Sequence, residues 1–367
     1  MKTLLLGDVC PTAGTNSLYD AKDINTLFGD TVSLFKENDV NIINLECAVT
    51  QSDKSILKFG PALKACKNTV YTLKELGVNY CGLSNNHIFD FGKKGALDTM
   101  AALDEVGIKY TGFGKNYEDS RKNLVIQNNG ETLCIIAVCE HEYSYALPNR
   151  MGSRPYDEYD TIEDVRNAKN MYDRVIVMYH GGKEQCRYPS PRLRKLCRAL
   201  AKNGADVILC QHSHCVGCYE YYENCHILYG QGNFHFTKAE FLTADMEPYW
   251  NSSLAVKYDT KTNEINFIPI AVNDASVYVA KDDEAEEIMN AFYKRNDELK
   301  TDEWKKGWHD FCIGMKEQYY TNIGNAATAN STFYDNHWFA HYLDCEAHTD
   351  VFRELFKTAN MTNEIDS

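Results

Sequence analysis

Side chains that can bind metal ions follow several apolar stretches of this sequence. In VILCQHSH (207–214), two histidines come directly after a run that is typical of a buried strand. The complete set of such side chains is Asp8, Asn44, Glu46, Asn86, His87, His180, His212 and His214. Imidazoles, carboxylates and an amide oxygen together suit Zn, Mn or Fe. A single residue of this kind would be an ordinary loop start or helix cap, so the prediction of a metal site depends on the whole set.

The apolar stretches belong to an alternating pattern of strands and helices. Runs rich in Val, Ile and Leu predict strands at 3–6, 40–45, 78–83, 133–139, 174–179 and 206–210. Helical stretches are expected at 24–38, 93–107 and 191–206. This alternation predicts an α/β core with largely parallel strands. Ligands of such sheets bind beyond the carboxyl ends of the strands, so we expect the polar set to converge there.

The second half of the chain has a different pattern. Runs at 226–229, 252–258 and 264–270 follow one another without helices, which predicts an antiparallel section that completes a second sheet. Beyond about residue 280 the sequence is charged and helical in period. We therefore expect one domain over 1–280 and a helical C-terminal extension over 281–367. The extension either packs on the core as an appendage or forms a lid that shapes substrate choice.

Six motifs resemble, in order, those of the CapA-like proteins, a family named for poly-γ-glutamate capsule biosynthesis within the calcineurin-like metallophosphoesterase superfamily. The motifs are GDVC (7–10), NLE (44–46), SNNHIFDFG (84–92), HGGKE (180–184), QHSH (211–214) and YGQGNF (229–234). The resemblance covers about residues 1–270. It implies a four-layer α/β/β/α metallophosphoesterase-like sandwich with a metal centre at one edge, to which the C-terminal helical appendage is added.

The resemblance also implies roles for individual residues. The implied metal ligands are Asp8, Glu46, Asn86, His180, His212 and His214. The implied catalytic group is His87, Asp90 and Glu184. His87 would act as an acid or polarise the substrate, and Glu184 would lie at the rim of the site. Asp90 would orient His87 through a carboxylate–imidazole hydrogen bond, or it would cap the local backbone.

Cys10 departs from the superfamily pattern, because it stands where the Asp-x-His signature has its histidine. The lost imidazole weakens one of two metal positions. The resemblance therefore implies a divalent metal cofactor of one or two ions (Mn, Fe or Zn), as a single ion or an uneven pair. Cys10 itself is expected to be a buried thiol or, alternatively, a thiolate ligand.

The implied function is that of a metal-dependent hydrolase. It would activate water against a phosphate ester or a similarly polarised bond, with a connection to the biosynthesis of poly-γ-glutamate or a related polymer. Its substrate would be a small-molecule or polymeric anion. The alternative is a non-catalytic, metal-containing binding component of a polymer synthesis assembly. His87 beside Asn86 favours the enzyme, whereas Cys10 keeps the alternative open.

Composition narrows the class of protein. A net charge of −14 over 367 residues argues against a nucleic-acid partner, which normally meets a basic surface. No apolar run approaches the roughly 20 residues of a membrane span, so we expect no membrane-spanning segment. We also expect a cytoplasmic location. The fourteen cysteines are expected to be reduced thiols, since several lie in apolar strands. The pattern makes no prediction of the oligomeric state.

Two further groups of loop residues are expected near the pocket. HEYSY (141–145) follows the strand at 133–139 and would line the pocket, with His141 behind the ligands. Arg150, Arg154 and Arg187 lie in loops between or just after the motif strands. They are candidates for binding a phosphate or carboxylate group, or they are ordinary surface residues.

Overall fold

Two β-sheets pack face to face in a computed structural model of the protein, which describes residues 1–357. The strands are β1 (Lys2–Val9), β2 (Val40–Leu45), β3 (Ala48–Val49), β4 (Lys64–Ala65), β5 (Tyr80–Gly82), β6 (Lys109–Thr111), β7 (Phe113–Gly114), β8 (Leu124–Asn128), β9 (Glu131–Cys139), β10 (Gly152–Ser153), β11 (Arg174–His180), β12 (Val207–Gln211), β13 (Tyr219–Tyr222), β14 (Cys225–Leu228), β15 (Asn233–His235), β16 (Ser252–Asp259), β17 (Glu264–Asn273) and β18 (Ser276–Val279). The helices are α1 (Asn16–Ala21), α2 (Ile24–Phe28), α3 (Val32–Lys36), α4 (Asn68–Leu76), α5 (Gly92–Val106), α6 (Tyr117–Ser120), α7 (Glu158–Met171), α8 (Pro191–Lys202), α9 (Glu247–Trp250), α10 (Asp282–Lys300), α11 (Glu303–Gly314), α12 (Lys316–Ala326), α13 (Phe333–Asp344) and α14 (Glu346–Leu355).

The first sheet has the order β18-β17-β16-β1-β2-β5-β6, and β15 also pairs with β1. Strand β1 lies parallel to β2 and antiparallel to β16. Its apolar side chains alternate in direction, as those of any strand do. Leu4 and Leu6 face the cluster shared with α1–α5, whereas Leu5 faces the second sheet. Both faces of β1 are therefore buried, which explains its continuous apolar sequence.

The second sheet has the order β13-β14-β12-β11-β9-β8, with β9, β11, β12 and β14 parallel. Helices α7 and α8 cover its outer face through side chains such as Val165 and Leu196. Its inner face meets the first sheet in a core that includes Ile135 and Ile176. The layers are thus helices, sheet, sheet and helices, and the predicted α/β/β/α sandwich is confirmed.

Two details of the sequence prediction were wrong. The runs at 252–258 and 264–270 extend the first sheet, because β16 pairs with β1 and β17 pairs with β16. Only the run near 226 joins the second sheet, where β14 pairs with β12. Helix 24–38 is split into α2 and α3. A short 3₁₀ segment separates them, starting at Gly29, whose φ of +47° lies outside the helical region.

The C-terminal helices pack on the sandwich. Phe292 of α10 is buried in the core between the sheets, and Trp304 of α11 is buried with α7 and α8. Helix α11 also shares a smaller cluster with the remaining helices, around Trp308, Tyr319 and Tyr342. The predicted extension 281–367 continues beyond the described residues at 358–367. Within residues 1–357 there is no helix with the length and apolar character of a membrane span, and all fourteen cysteines are free thiols there.

Candidate metal centre

Asp8 lies near the carboxyl end of β1, where β1 and β15 approach each other closely. A Cβ atom on Gly7 would lie 1.9 Å from the carbonyl oxygen of Gly232, so a glycine is required at this crossing. Asp8 follows at the end of β1 and is fully buried. Asn44 Nδ2 donates a hydrogen bond of 2.7 Å to its Oδ1 atom. The GDVC, NLE and YGQGNF motifs thus meet at one point.

Glu46 directly follows β2, and its carboxylate is fully buried. Its backbone N–H donates to Val9 O, which fixes the residue beside Asp8. Its Oε1 lies 3.3 Å from His180 Nε2. Both carboxylate oxygens are nevertheless buried without a hydrogen-bond partner among residues 1–357. Burial raises the pKa of Glu46 to about 7, against the opposing effect of His87 and His212.

His180 and Asn86 connect the second sheet to this carboxylate. His180 ends β11, where its Nδ1 lies 3.1 Å from Asn44 Nδ2 and its Nε2 lies 3.0 Å from Asn86 Oδ1. Burial lowers the pKa of His180 well below its usual value, which keeps the ring neutral. A neutral imidazole is the form that binds a metal ion.

The QHSH turn places two more imidazoles beside the carboxylates. His212 has a φ of +82° and His214 a φ of +56°, and a non-glycine residue in this region costs on the order of 1–3 kcal/mol. His212 is held by its backbone N–H, which donates to Asp8 Oδ2 at 3.1 Å. His214 Nδ1 lies 2.8 Å from Asn233 Oδ1. Two of the residues that the sequence singled out thus have a strained backbone conformation.

The predicted ligands come together in two adjacent groups. Potential ligand atoms of Asp8, Glu46 and His180 lie within 4.8 Å of one another, and those of Glu46, His212 and His214 do so as well. Glu46 is common to both groups, and Asn86 adjoins them through His180. His212 Nδ1 is buried and has no hydrogen-bond partner within the described residues, like the Glu46 oxygens. The two Glu46 oxygens are buried acceptors that a cation would satisfy, so this residue set fits a metal ion.

The predicted catalytic residues lie beside these groups. His87 Nδ1 is 2.7 Å from Asp90 Oδ2, and Lys58 Nζ donates to Asp90 Oδ1 at 2.7 Å. Burial favours a raised pKa for Asp90, but the charges of Lys58 and His87 outweigh it and lower the pKa. Asp90 also accepts from Leu63 N–H, so it both contacts His87 and caps local backbone. Glu184 lies at the rim with a side chain that is 42% exposed, 3.6 Å from Lys183 Nζ.

Glu142 is the residue that the sequence analysis missed. The HEYSY loop was expected to present His141, but His141 bonds to Glu346 on α14 instead. Glu142 Oε1 lies 3.1 Å from His212 Nε2, and Asn86 Nδ2 donates to Glu142 Oε2 at 3.0 Å. Burial opposes the charged ring, yet Glu142 raises the pKa of His212 to about 10. Position 142 follows strand β9, so the strand-end rule was the signal that could have found it.

Cys10 and the three arginines take structural positions. The Cys10 thiol lies 3.6 Å from Pro11 O, and burial raises its pKa well above the usual value, as expected of a buried thiol. Arg150 donates to Tyr143 O and Arg187 to Pro248 O, while Arg154 pairs with Asp164. Lysines rather than arginines therefore provide the positive charge at the site.

A cavity of about 700 Å³ opens over the candidate ligands. The core contributes to its wall Lys58, Asn86, His87, Glu142, Lys183, Glu184, His212 and His214. The C-terminal helices contribute Gln318, Tyr319, Trp338, His341, Tyr342 and His348. The extension thus covers the site as well as packing on the core.

The structure thus combines a four-layer sandwich with buried carboxylates and imidazoles at its strand ends. The chain belongs to the family of the bacterial capsule synthesis protein PGA_cap, whose model matches residues 2–238. It is 28% identical over 290 residues to the PGA biosynthesis protein CapA of Bacillus subtilis (strain 168), covering 76% of this chain and 73% of that protein. The 5'-nucleotidase from Candida albicans SC5314 aligns with a TM-score of 0.41 at 9% identity, over 86% of this chain and 58% of that one.

Proposed function

We propose that the protein is a metal-dependent hydrolase acting on a phosphate ester or a similarly polarised bond in an anionic substrate. The observation that carries this proposal is the pair of ligand groups sharing Glu46, whose buried acceptor atoms lack partners within residues 1–357. They lie at a cavity of about 700 Å³ that His87 also lines. A binding site alone would not require an imidazole oriented by a carboxylate beside the ligands.

The proposed cofactor is one or two divalent ions of Mn, Fe or Zn. Asp8 and His180 would hold an ion on one side of Glu46, and His212 and His214 on the other. Asn86 would contribute its amide oxygen. When bound, such an ion polarises the substrate and lowers the pKa of its bound water to about 7. The missing imidazole at Cys10 supports an uneven pair or a single ion.

The chain's own residues would perform the remaining chemistry. His87 is oriented by Asp90, so it can donate a proton or a hydrogen bond to an oxygen of the substrate. Lys58 holds Asp90 in place and adds positive charge beside the ring. Lys183 lines the cavity and would attract an anionic substrate. The aromatic residues of α13 would exclude water from the closed site.

The second candidate is a metal-containing binding component of a polymer synthesis assembly. The Cys10 thiol points to Pro11 O, so nothing at that position replaces the imidazole of the superfamily signature. The family and its Bacillus subtilis relative carry names from capsule and PGA biosynthesis. In this version the centre would hold an anionic chain without cleaving it.

Metal content and hydrolysis, measured on matched variants, test the proposal. We expect one or two equivalents of Mn, Fe or Zn by mass spectrometry in the wild type and none in His212→Ala. His226→Ala is the control, because His226 is a buried histidine that bonds to Asn263 O outside the site. His87→Ala should keep its metal but lose hydrolysis of p-nitrophenyl phosphate or bis(p-nitrophenyl) phosphate.

The possible outcomes separate the two candidates. A wild type that binds metal but cleaves neither these phosphate esters nor γ-glutamyl peptides would support the binding component. A wild type that cannot be loaded with any of the three metals would contradict both candidates.

A further inference from the structure

We propose that Glu142 is a positioning residue of the metal centre and that the C-terminal helices hold it in place. This inference rests on the proposed metal centre, but it does not depend on hydrolysis. The side chain of Glu142 is only 11% exposed and touches two of the candidate ligands, His212 and Asn86. It lies outside the motifs that resemble the family.

The first contact selects the donor atom of His212. The carboxylate of Glu142 lies 3.1 Å from His212 Nε2, so this nitrogen carries a proton and donates it to the carboxylate. The other ring nitrogen, Nδ1, is the one left buried without a partner among residues 1–357. Hydrogen bonding at one imidazole nitrogen determines which nitrogen can bind a metal, and it makes that nitrogen more basic. Glu142 thus directs Nδ1 toward the ion.

The second contact orients the amide of Asn86. Its Nδ2 atom donates to Glu142 Oε2 at 3.0 Å, so its Oδ1 atom must point to the opposite side. That oxygen lies 3.0 Å from His180 Nε2, within the ligand group. One carboxylate therefore fixes both an imidazole and an amide, and a neutral amide at position 142 could satisfy only one of them.

The C-terminal helices contact Glu142 itself and the residue before it. Cys345, between α13 and α14, donates its thiol to Glu142 Oε1 at 3.6 Å. Glu346 accepts from the backbone N–H of His141 at 2.9 Å and lies 2.6 Å from its Nδ1. These bonds join segments about 200 residues apart in sequence.

Two more contacts fix the rest of the loop. The ring of Tyr143 stacks on His341 of α13, with centroids 4.8 Å apart and planes at 21°. The hydroxyl of Tyr145 donates to Asp344 at 2.9 Å. Residues 141, 142, 143 and 145 are therefore each held by the C-terminal helices. The extension contributes to the metal centre by fixing this loop, in addition to lining the cavity.

Titration of metal-free protein with Mn²⁺, followed by electron paramagnetic resonance, tests the inference on the full chain. We expect Glu142→Ala to weaken Mn²⁺ binding about 10- to 100-fold, the usual effect of removing a carboxylate behind a ligand. Glu142→Gln should lose less, because its amide oxygen still accepts from His212. Glu346→Gln should weaken binding in the same direction, by less than Glu142→Ala, through the loosened loop.

Glu140→Gln is the matched control. Glu140 is a buried residue two positions before Glu142, and its backbone N–H donates to His180 O, which the substitution keeps. Its carboxylate accepts from Tyr179 and Gly182 and pairs with Arg192, not with the side chain of a candidate ligand. We expect it to lower the melting temperature of the metal-free protein while leaving the Mn²⁺ dissociation constant unchanged.

The results distinguish this inference from the proposed function. Unchanged Mn²⁺ affinity in Glu142→Ala, with or without a lower melting temperature, would overturn the inference but would not contradict the proposed hydrolase function. Weakened affinity in a protein that hydrolyses nothing would support the inference and contradict the hydrolase. A wild type that binds no Mn²⁺ or other divalent metal would overturn both.

Discussion

At the residue scale, Glu46 combines complete burial with two carboxylate oxygens that have no hydrogen-bond partner within residues 1–357. An unpaired buried charged group destabilises a fold, so Glu46 should lower the free energy of unfolding of the metal-free protein. We expect Glu46→Gln to lose its metal and to raise the free energy of unfolding of the metal-free protein by about 1–3 kcal/mol. Urea unfolding in a chelator at pH 8 measures this change. A destabilised variant would show that the carboxylate is satisfied without an ion.

Lys183 is the residue for which we expect an effect on substrate binding alone. Its side chain is 8% exposed and lines the cavity, and its nearest acidic partner, Glu184 at 3.6 Å, is beyond hydrogen-bond distance. A hydrogen bond to a charged group contributes about 1.5–3 kcal/mol, which corresponds to at least about tenfold in affinity. We expect Lys183→Gln to raise KM for an anionic phosphate ester about tenfold with little change in kcat. Steady-state kinetics measure both, and Lys195→Gln, on the exposed side of α8, is the control.

At the element scale, the strand ends could be predicted and the long loops could not. Asp8, Glu46 and His180 each follow a run whose apolar residues identify a buried strand, so local sequence was sufficient. Glu142 follows β9 as well, but its direction depends on Glu346 and Cys345, about 200 residues away. The sheet that β16 joins also depends on a distant partner, β1. Apolar periodicity identifies a strand without identifying its neighbour.

Strand β15 gives a prediction about pH. His235 is buried, with Nδ1 3.1 Å from the Tyr19 hydroxyl and Nε2 3.0 Å from Ala275 O. Burial lowers the pKa of His235 to about 4, from an ordinary value near 6.5. Between these values the unfolded chain binds a proton that the folded protein does not, so stability must fall as the pH falls from about 6.5 to about 4. The largest slope for one such group is about 1.4 kcal/mol per pH unit.

Urea unfolding at several pH values measures this slope. We expect His235→Gln to have a shallower dependence of stability on pH than the wild type in this range, because glutamine does not titrate. The other buried histidines contribute equally to the pH dependence of stability in both proteins. Identical slopes in the two proteins would contradict the assignment of a neutral His235.

At the scale of the whole molecule, side chains of the C-terminal extension pack in the hydrophobic cores of the sandwich. The sequence indicated a change of character near residue 280, and it predicted a domain that ends there. In the structure, α10 begins at Asp282 and buries Phe292 between the two sheets, and Trp304 joins the cluster of α7 and α8. Helices α13 and α14 instead pack on the cavity and on the loop that carries Glu142. The extension therefore has an inner part in the core and an outer part at the site.

These two parts predict different results for two shortened chains. A chain that ends after residue 280 loses both Phe292 and Trp304, and each large aromatic side chain removed from a core costs about 3–5 kcal/mol. We expect that protein to unfold or aggregate. A chain that ends after residue 331 keeps both side chains and should unfold cooperatively, but it lacks Cys345 and Glu346 and should bind Mn²⁺ more weakly than the full chain. Thermal unfolding and Mn²⁺ titration distinguish them. If the chain of 280 residues is as stable as the full protein, the extension is a separate unit and the shared core contributes nothing measurable.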